Sequence, residues 1–167
     1  MDSVRSFIAI ELPEQVKDRL AQTQQAIVKQ MARSGAGAQV ASAVKWVDPT
    51  GIHLTLKFLG AVPETKIVSI LAGIERATKG AKPFSLSLGH LGVFPGWSRP
   101  RVIWVGVDTG DSPALAHLEE AIEEEMARLG FAKEERPFTA HLTLGRVREA
   151  TSPDIRRTLG EAVKNTP

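Results

Sequence analysis

The chain has no cysteine and no tyrosine. The first absence excludes thiol nucleophiles, Cys-x-x-Cys redox chemistry, iron–sulfur clusters and cysteine-ligated zinc. The second removes tyrosine as nucleophile or proton donor. Long hydrophobic runs are missing too: nothing approaches the roughly 18 apolar residues of a membrane span. The N-terminus, MDSVRSFIAIELPEQ, has a short apolar patch that meets Glu11 and Pro13 at once, unlike a secretory signal. A cytoplasmic protein without membrane attachment is expected. Neither sign of charge dominates, with 21 basic and 19 acidic residues and a net charge of +2. That balance is too mild to announce a nucleic-acid binder. It is uneven along the chain: residues 1–83 carry a net +4 and residues 84–167 a net −2. The acidic run Glu119, Glu120, Glu123, Glu124, Glu125 reads as the solvated face of one helix.

What remains is an ordinary soluble composition, 43% apolar and 24% charged over 167 residues. One domain over residues 1–167, or two small lobes sharing a core, is expected. Strands are predicted at Ser3–Leu12, Val44–Val47, Ile52–Leu59, Phe84–Leu88, Val102–Val107 and Ala140–Val147. Helices are predicted at Glu14–Arg33, Pro63–Thr78, Ser112–Leu129 (Ser112 capping, Pro113 in the first turn) and Pro153–Val163. Ser34–Ser42 and His90–Pro100, rich in Gly, Ala, Ser or Pro, read as loops, and Asp48–Gly51 as a turn. The class is α+β, mostly antiparallel sheet with helices packed outside.

One tetrapeptide occurs twice. His-Leu-Thr-Leu stands at 53–56 and again at 141–144. In a chain of this composition a His–apolar–Thr–apolar string arises by chance about 0.05 times. Each copy lies in a predicted strand, where residues i and i+2 share a face. His53 therefore projects with Thr55, and His141 with Thr143, while the leucines anchor the opposite face. Two imidazoles flanking one reacting centre can act as general base and general acid. Two hydroxyls can donate to oxygens that gain negative charge. Phosphorus, with opposed entering and leaving groups, matches that arrangement without metal or covalent nucleophile. No third carboxylate ligand appears at metal-site spacing, and the serine elbow of acyl transfer is missing.

The chain resembles the two-histidine (2H) phosphoesterase superfamily, and within it the RNA 2′,3′-cyclic phosphodiesterases once described as 2′-5′ RNA ligases. The residues that carry the resemblance are RSFIAIELP (5–13), KWVDPTGIHLTLKFLG (45–60), RPRVIWVGV (99–107) and PFTAHLTLGRV (137–147). The resemblance implies two pseudo-symmetric lobes, each giving one motif to a central cleft. It implies cofactor-free hydrolysis of an RNA terminal 2′,3′-cyclic phosphate to a 2′-phosphate. His53 would be the proton donor to the departing 3′-oxygen and His141 the proton acceptor from water, with Thr55 and Thr143 holding phosphate oxygens. Substrates would be cyclic-phosphate RNA ends, tRNA fragments among them, or small cyclic nucleotides, and the protein a monomer. It also implies strand sequence after the last helix, whereas the chain stops at Asn165-Thr166-Pro167; an absent strand would leave a sheet edge unpaired. Two other readings use the same pairs: a non-catalytic nucleotide-binding module, and 2′-5′ RNA ligation as the reverse reaction.

Arg146, closing HLTLGR, is a candidate phosphate ligand. Arg5, Lys57, Arg99, Arg101 and Arg148 are candidates for a basic rim. Trp97, Trp46, Phe7 and Phe58 are candidates for base stacking. Trp97, in a Gly/Pro loop beside Arg99, is the best placed of them, and Phe7 and Phe58 read rather as core. His90 reads as loop structure and His117 as an exposed helix position.

Overall fold

The computed structural model describes residues 2–35 and 37–167. Six strands and five helices are described: β1 Ser3–Ile10, α1 Glu14–Ala32, α2 Gly37–Ser42, β2 Val44–Trp46, β3 Leu54–Pro63, α3 Ile67–Thr78, β4 Ser87–Phe94, β5 Val102–Asp108, α4 Ala114–Arg128, β6 His141–Val147 and α5 Pro153–Lys164. The class is α+β with antiparallel pairing, as the sequence predicts. The chain divides into two compact units.

The first unit comprises residues up to Ile10, Leu54–Ser87 and Asp108–Ala140. Its sheet is the antiparallel pair β1–β3. Period-2 burial puts Ile8, Leu54, Leu56 and Val62 inward. They meet Leu115, Ile122 and Met126 of α4, each nearly or fully buried. Burying one such side chain contributes about 1.5–3 kcal/mol. Arg76 of α3 donates to Glu125 of α4 at 3.0 Å, and Arg128 donates to the other oxygen of the same carboxylate at 3.1 Å.

The second unit comprises Glu11–His53, Leu88–Val107 and His141–Pro167. Its sheet runs β2-β6-β5-β4, so β6 is an interior strand. Helix α1 contributes Leu20, Ile27 and Met31, all fully buried. Helix α5 contributes Leu159 and Val163, and Ser152 caps it by accepting from the Ile155 N–H at 3.3 Å. Gly160 lies so close to the backbone of Trp97 that a methyl group there would collide with the Trp97 carbonyl.

Four local predictions are corrected. His90–Pro100 is not a loop throughout, because β4 runs to Phe94, and residues 83–86 are irregular instead of strand. The glycines that signalled a loop are there for close approach: Gly89 faces the backbone of Gly106, and a methyl at Gly92 would overlap the Trp104 ring. Ser34–Ser42 holds the short helix α2, anchored by fully buried Val40, while Ala36 lies outside the described residues. Strand β3 continues to Pro63, and α3 starts only at Ile67, after a 3-10 turn at Glu64–Lys66. Ser112 does help start α4, its Oγ accepting the Ala114 N–H at 3.3 Å.

Candidate functional site

The first motif begins at a rigid turn. Asp48 Oδ1 accepts from Thr50 N–H at 3.0 Å and from Thr50 Oγ1 at 2.8 Å. Those two bonds hold the Asp48 carboxyl below its ordinary pKa. The 3-10 turn Pro49–Gly51 follows, and Ile52, 3% exposed, plugs the core. His53 comes next, half-buried, immediately before β3. Leu54 and Leu56 are buried, and Thr55 between them is half-buried.

The second motif opens β6. Leu142 and Leu144 are buried at 1% and 0% exposure, while His141 and Thr143 are half-buried. The alternation is the one the tetrapeptide requires: leucines inward, imidazole and hydroxyl on the other face. Two aromatic rings frame His141. Phe94 of β4 meets it edge to face, with centroids 5.2 Å apart and planes at 88°. Trp104 of β5 lies 6.1 Å away and also packs on Phe94, at 4.9 Å. Trp104 is the register partner of Thr143, and its buried Nε1 has no hydrogen-bond partner among the described residues. Sequence reasoning missed Phe94 and Trp104. The signal was there for Trp104, which alternates with buried Ile103 and Val105 and so lies on their opposite face.

Each motif ends on a β-bulge at its last leucine. In the first, Ala9 pairs with Thr55 and Ile8 with Lys57, so Leu56 is the extra residue. In the second, Trp104 pairs with Thr143 and Ile103 with Gly145, so Leu144 is the extra residue. A bulge shifts the phase of every side chain that follows it. Unbroken alternation would set Lys57 beside Thr55 and Arg146 with the leucines. The burial pattern shows the reverse. Lys57 is 7% exposed and turned to the core, where it donates to Glu123 at 2.8 Å and to the Ala132 carbonyl at 2.9 Å. Lys57 is therefore no part of a basic rim. Phe58 takes the Thr55 face, and Arg146, exposed, takes the His141–Thr143 face, opposite buried Val147.

Phe7 and Phe58 are not core residues. They are 46% and 74% exposed, paired across β1–β3 with ring centroids 6.3 Å apart. The bulge is the reason, since it turns Phe58 outward and Phe7 is its register partner. Trp97 is half-buried after β4, and Trp46 half-buried on β2. Arg5, Arg99 and Arg101 are exposed, and exposed Arg148 donates to the Ser42 carbonyl at 3.1 Å. His90 is exposed on β4 and His117 exposed on α4. Among the described residues no cluster of three or more His, Asp or Glu has metal-site geometry, and no helix is long and apolar enough to cross a membrane.

Known proteins share this arrangement. The model of the 2′-5′ RNA ligase superfamily matches residues 36–166. A protein of Methanothermobacter thermautotrophicus named RNA 2′,3′-cyclic phosphodiesterase is 34% identical over 151 residues, covering 90% of this chain and 75% of its own. One of the same name from Thermotoga maritima is 37% identical over 145 residues, covering 87% and 71%. A crystal structure from Thermus thermophilus superposes with a TM-score of 0.72 at 28% identity, over 89% of this chain and 77% of that one. E. coli LigT complexed with 3′-AMP gives 0.61 at 28% identity, over 90% and 78%. By the extent of the family match and the identity to these relatives, the chain belongs to the 2′-5′ RNA ligase superfamily, the two-histidine phosphoesterases.

Proposed function

We propose that the chain is an RNA 2′,3′-cyclic phosphodiesterase that opens a terminal 2′,3′-cyclic phosphate to a 2′-phosphate by two-histidine general acid–base catalysis. The observation that carries the reading is the doubled motif itself. Two His-Leu-Thr-Leu strands bury their leucines and leave an imidazole and a hydroxyl half-exposed on the opposite face. The relatives' name, RNA 2′,3′-cyclic phosphodiesterase, supports the substrate class.

In this reading His141 takes a proton from water as the water oxygen attacks phosphorus. The bond from phosphorus to the 3′-oxygen breaks, and His53 gives its proton to that oxygen. The product is a 2′-phosphate with a free 3′-hydroxyl, and the two histidines exchange protonation states over the cycle. Thr55 and Thr143 donate to the non-bridging oxygens, where charge accumulates. Arg146 adds a charge-assisted contact to the same phosphate. Phe7, with Phe58, offers an exposed aromatic surface for a base, and Trp97 a second one. No step calls for a metal ion. Residues 1–167 act as one catalytic domain, monomeric and cytoplasmic, on RNA ends or small cyclic nucleotides.

The test is incubation with a short RNA ending in a 2′,3′-cyclic phosphate, in EDTA, with products resolved by phosphate position. A 2′-phosphate product is expected. A 3′-phosphate product would reverse the leaving-group assignment. Binding without turnover would leave a nucleotide-binding module. Joining to a 5′-hydroxyl RNA in preference to hydrolysis would make ligation the activity. Loss of turnover in EDTA, restored by a divalent ion, would overturn the metal-free mechanism.

A further inference from the structure

Gln24 occupies a position where α1 calls for an aliphatic residue. Leu20, Ile27 and Met31 form the buried face of that helix, and Gln24 completes their spacing at 6% exposure. A buried amide costs about 1–3 kcal/mol unless it finds partners. Its Nε2 finds two, donating to the Val47 carbonyl at 2.7 Å and the Leu144 carbonyl at 3.0 Å. The Leu144 carbonyl also accepts the Val47 N–H at 2.9 Å. Leu144 is the residue that the pairing between β5 and β6 passes over. The amide is thus bonded to the bulge that turns Arg146 to the face of His141 and Thr143.

We infer that Gln24 is a positioning residue: its side-chain amide clamps the Leu144 carbonyl and so holds the bulge that presents Arg146 beside Thr143. The inference deepens the proposed activity and rests on it for its kinetic test. Without the clamp, β6 has a competing arrangement in which alternation runs on unbroken and Arg146 falls with the leucines. Gln24 therefore acts through Arg146 and the strand backbone, several bonds away from the phosphate.

A double-mutant cycle separates this role from general support of the fold. Gln24→Met keeps the length and apolar stem and drops the donor. Gln24→Met and Arg146→Ala are each expected to lower kcat/KM on the order of tenfold to a hundredfold on cyclic-phosphate RNA. The double variant is expected to be no worse than the poorer single one, because both remove the same contact. Phe58→Ala, which follows the other bulge, should combine with Gln24→Met multiplicatively. Multiplicative losses for the Gln24–Arg146 pair, or an unchanged rate in Gln24→Met, would overturn the clamp. If Gln24→Met fails to melt cooperatively, the wild-type protein still decides. Its Gln24 side-chain amide protons should exchange slowly with deuterated water, and exchange at the rate of a free glutamine would overturn the clamp. If the wild type does not turn over the RNA, the proposed activity falls, and the exchange measurement, which needs no substrate, decides Gln24 alone.

Discussion

The two copies of His-Leu-Thr-Leu are identical in sequence and unlike in surroundings. The first enters a two-stranded sheet from a 3-10 turn, and its bulge is followed by a buried ion pair and an exposed phenylalanine. The second opens an interior strand of a four-stranded sheet, its histidine framed by Phe94 and Trp104 and its bulge followed by Gly145 and exposed Arg146. The shared part is what acid–base chemistry on phosphorus needs. The unshared part, an aromatic surface in one copy and a cation in the other, is what distinguishes two ends of a nucleotide. Equal sequence thus supplies equal reactive groups, and the residues beyond each bulge give each copy its own task.

The largest effect expected tests the shared part. His53→Ala and His141→Ala should each lower kcat by about 10²–10⁴-fold with the fold intact, read by turnover and by circular dichroism. A substrate whose leaving group needs no proton, such as a p-nitrophenyl phosphodiester, sharpens the comparison. It should recover much of the loss in His53→Ala and little in His141→Ala. Wild-type rate against pH should be bell-shaped, and each variant should lose one limb. Equal recovery in both variants would mean that acid and base are not divided as proposed.

The fifth position, Lys57 in one copy and Gly145 in the other, tests the unshared part. Lys57→Met leaves Glu123 buried without its partner and should cost about 3–5 kcal/mol of stability, seen as a lowered melting temperature. Gly145→Ala places a methyl 2.7 Å from Val44 Cγ1 and 3.0 Å from the Trp46 ring, and should cost about 1–3 kcal/mol. A stable Gly145→Ala variant would show that the second bulge has room that the first lacks.

Phe58→Ala should raise KM for RNA by roughly tenfold, the worth of one base stack at about 1–3 kcal/mol, with kcat little changed. Phe7→Ala should follow it more weakly, because Phe7 is the less exposed of the pair. The smallest effect lies on α4. Burial, then the charges of Glu123 and Glu120, raise the Glu119 pKa, with Lys57 opposing. A carboxyl whose folded pKa is raised binds its proton more tightly when folded, so it lowers stability as pH climbs through that value. Glu119→Gln should therefore melt slightly higher than wild type at neutral pH, and the difference should vanish in acid. A difference that persists in acid would contradict this cause.

Much of this was legible without a structure. The strands at 44–47, 102–107 and 140–147 and the long helices follow from local periodicity, which burial enforces. Strand β4 was not legible, because Gly89 and Gly92 serve close approach and glycine signals a turn equally well. Phe58 was misread for a different reason. Strict alternation sets it with Leu54 and Leu56 in the core, and only the inserted residue turns it out.

By itself the sequence determined the reactive face. Period-2 geometry joins His53 to Thr55 and His141 to Thr143, and no partner is needed to know it. Tertiary structure alone decided what stands beside those pairs. The phase after each motif depends on pairing with β1 or β5 and on buried polar contacts, Lys57 to Glu123 in one unit and Gln24 to Leu144 in the other. Those partners lie 66 and 120 residues apart along the chain. A bulge is a relation between strands, so no reading of one strand by itself contains it.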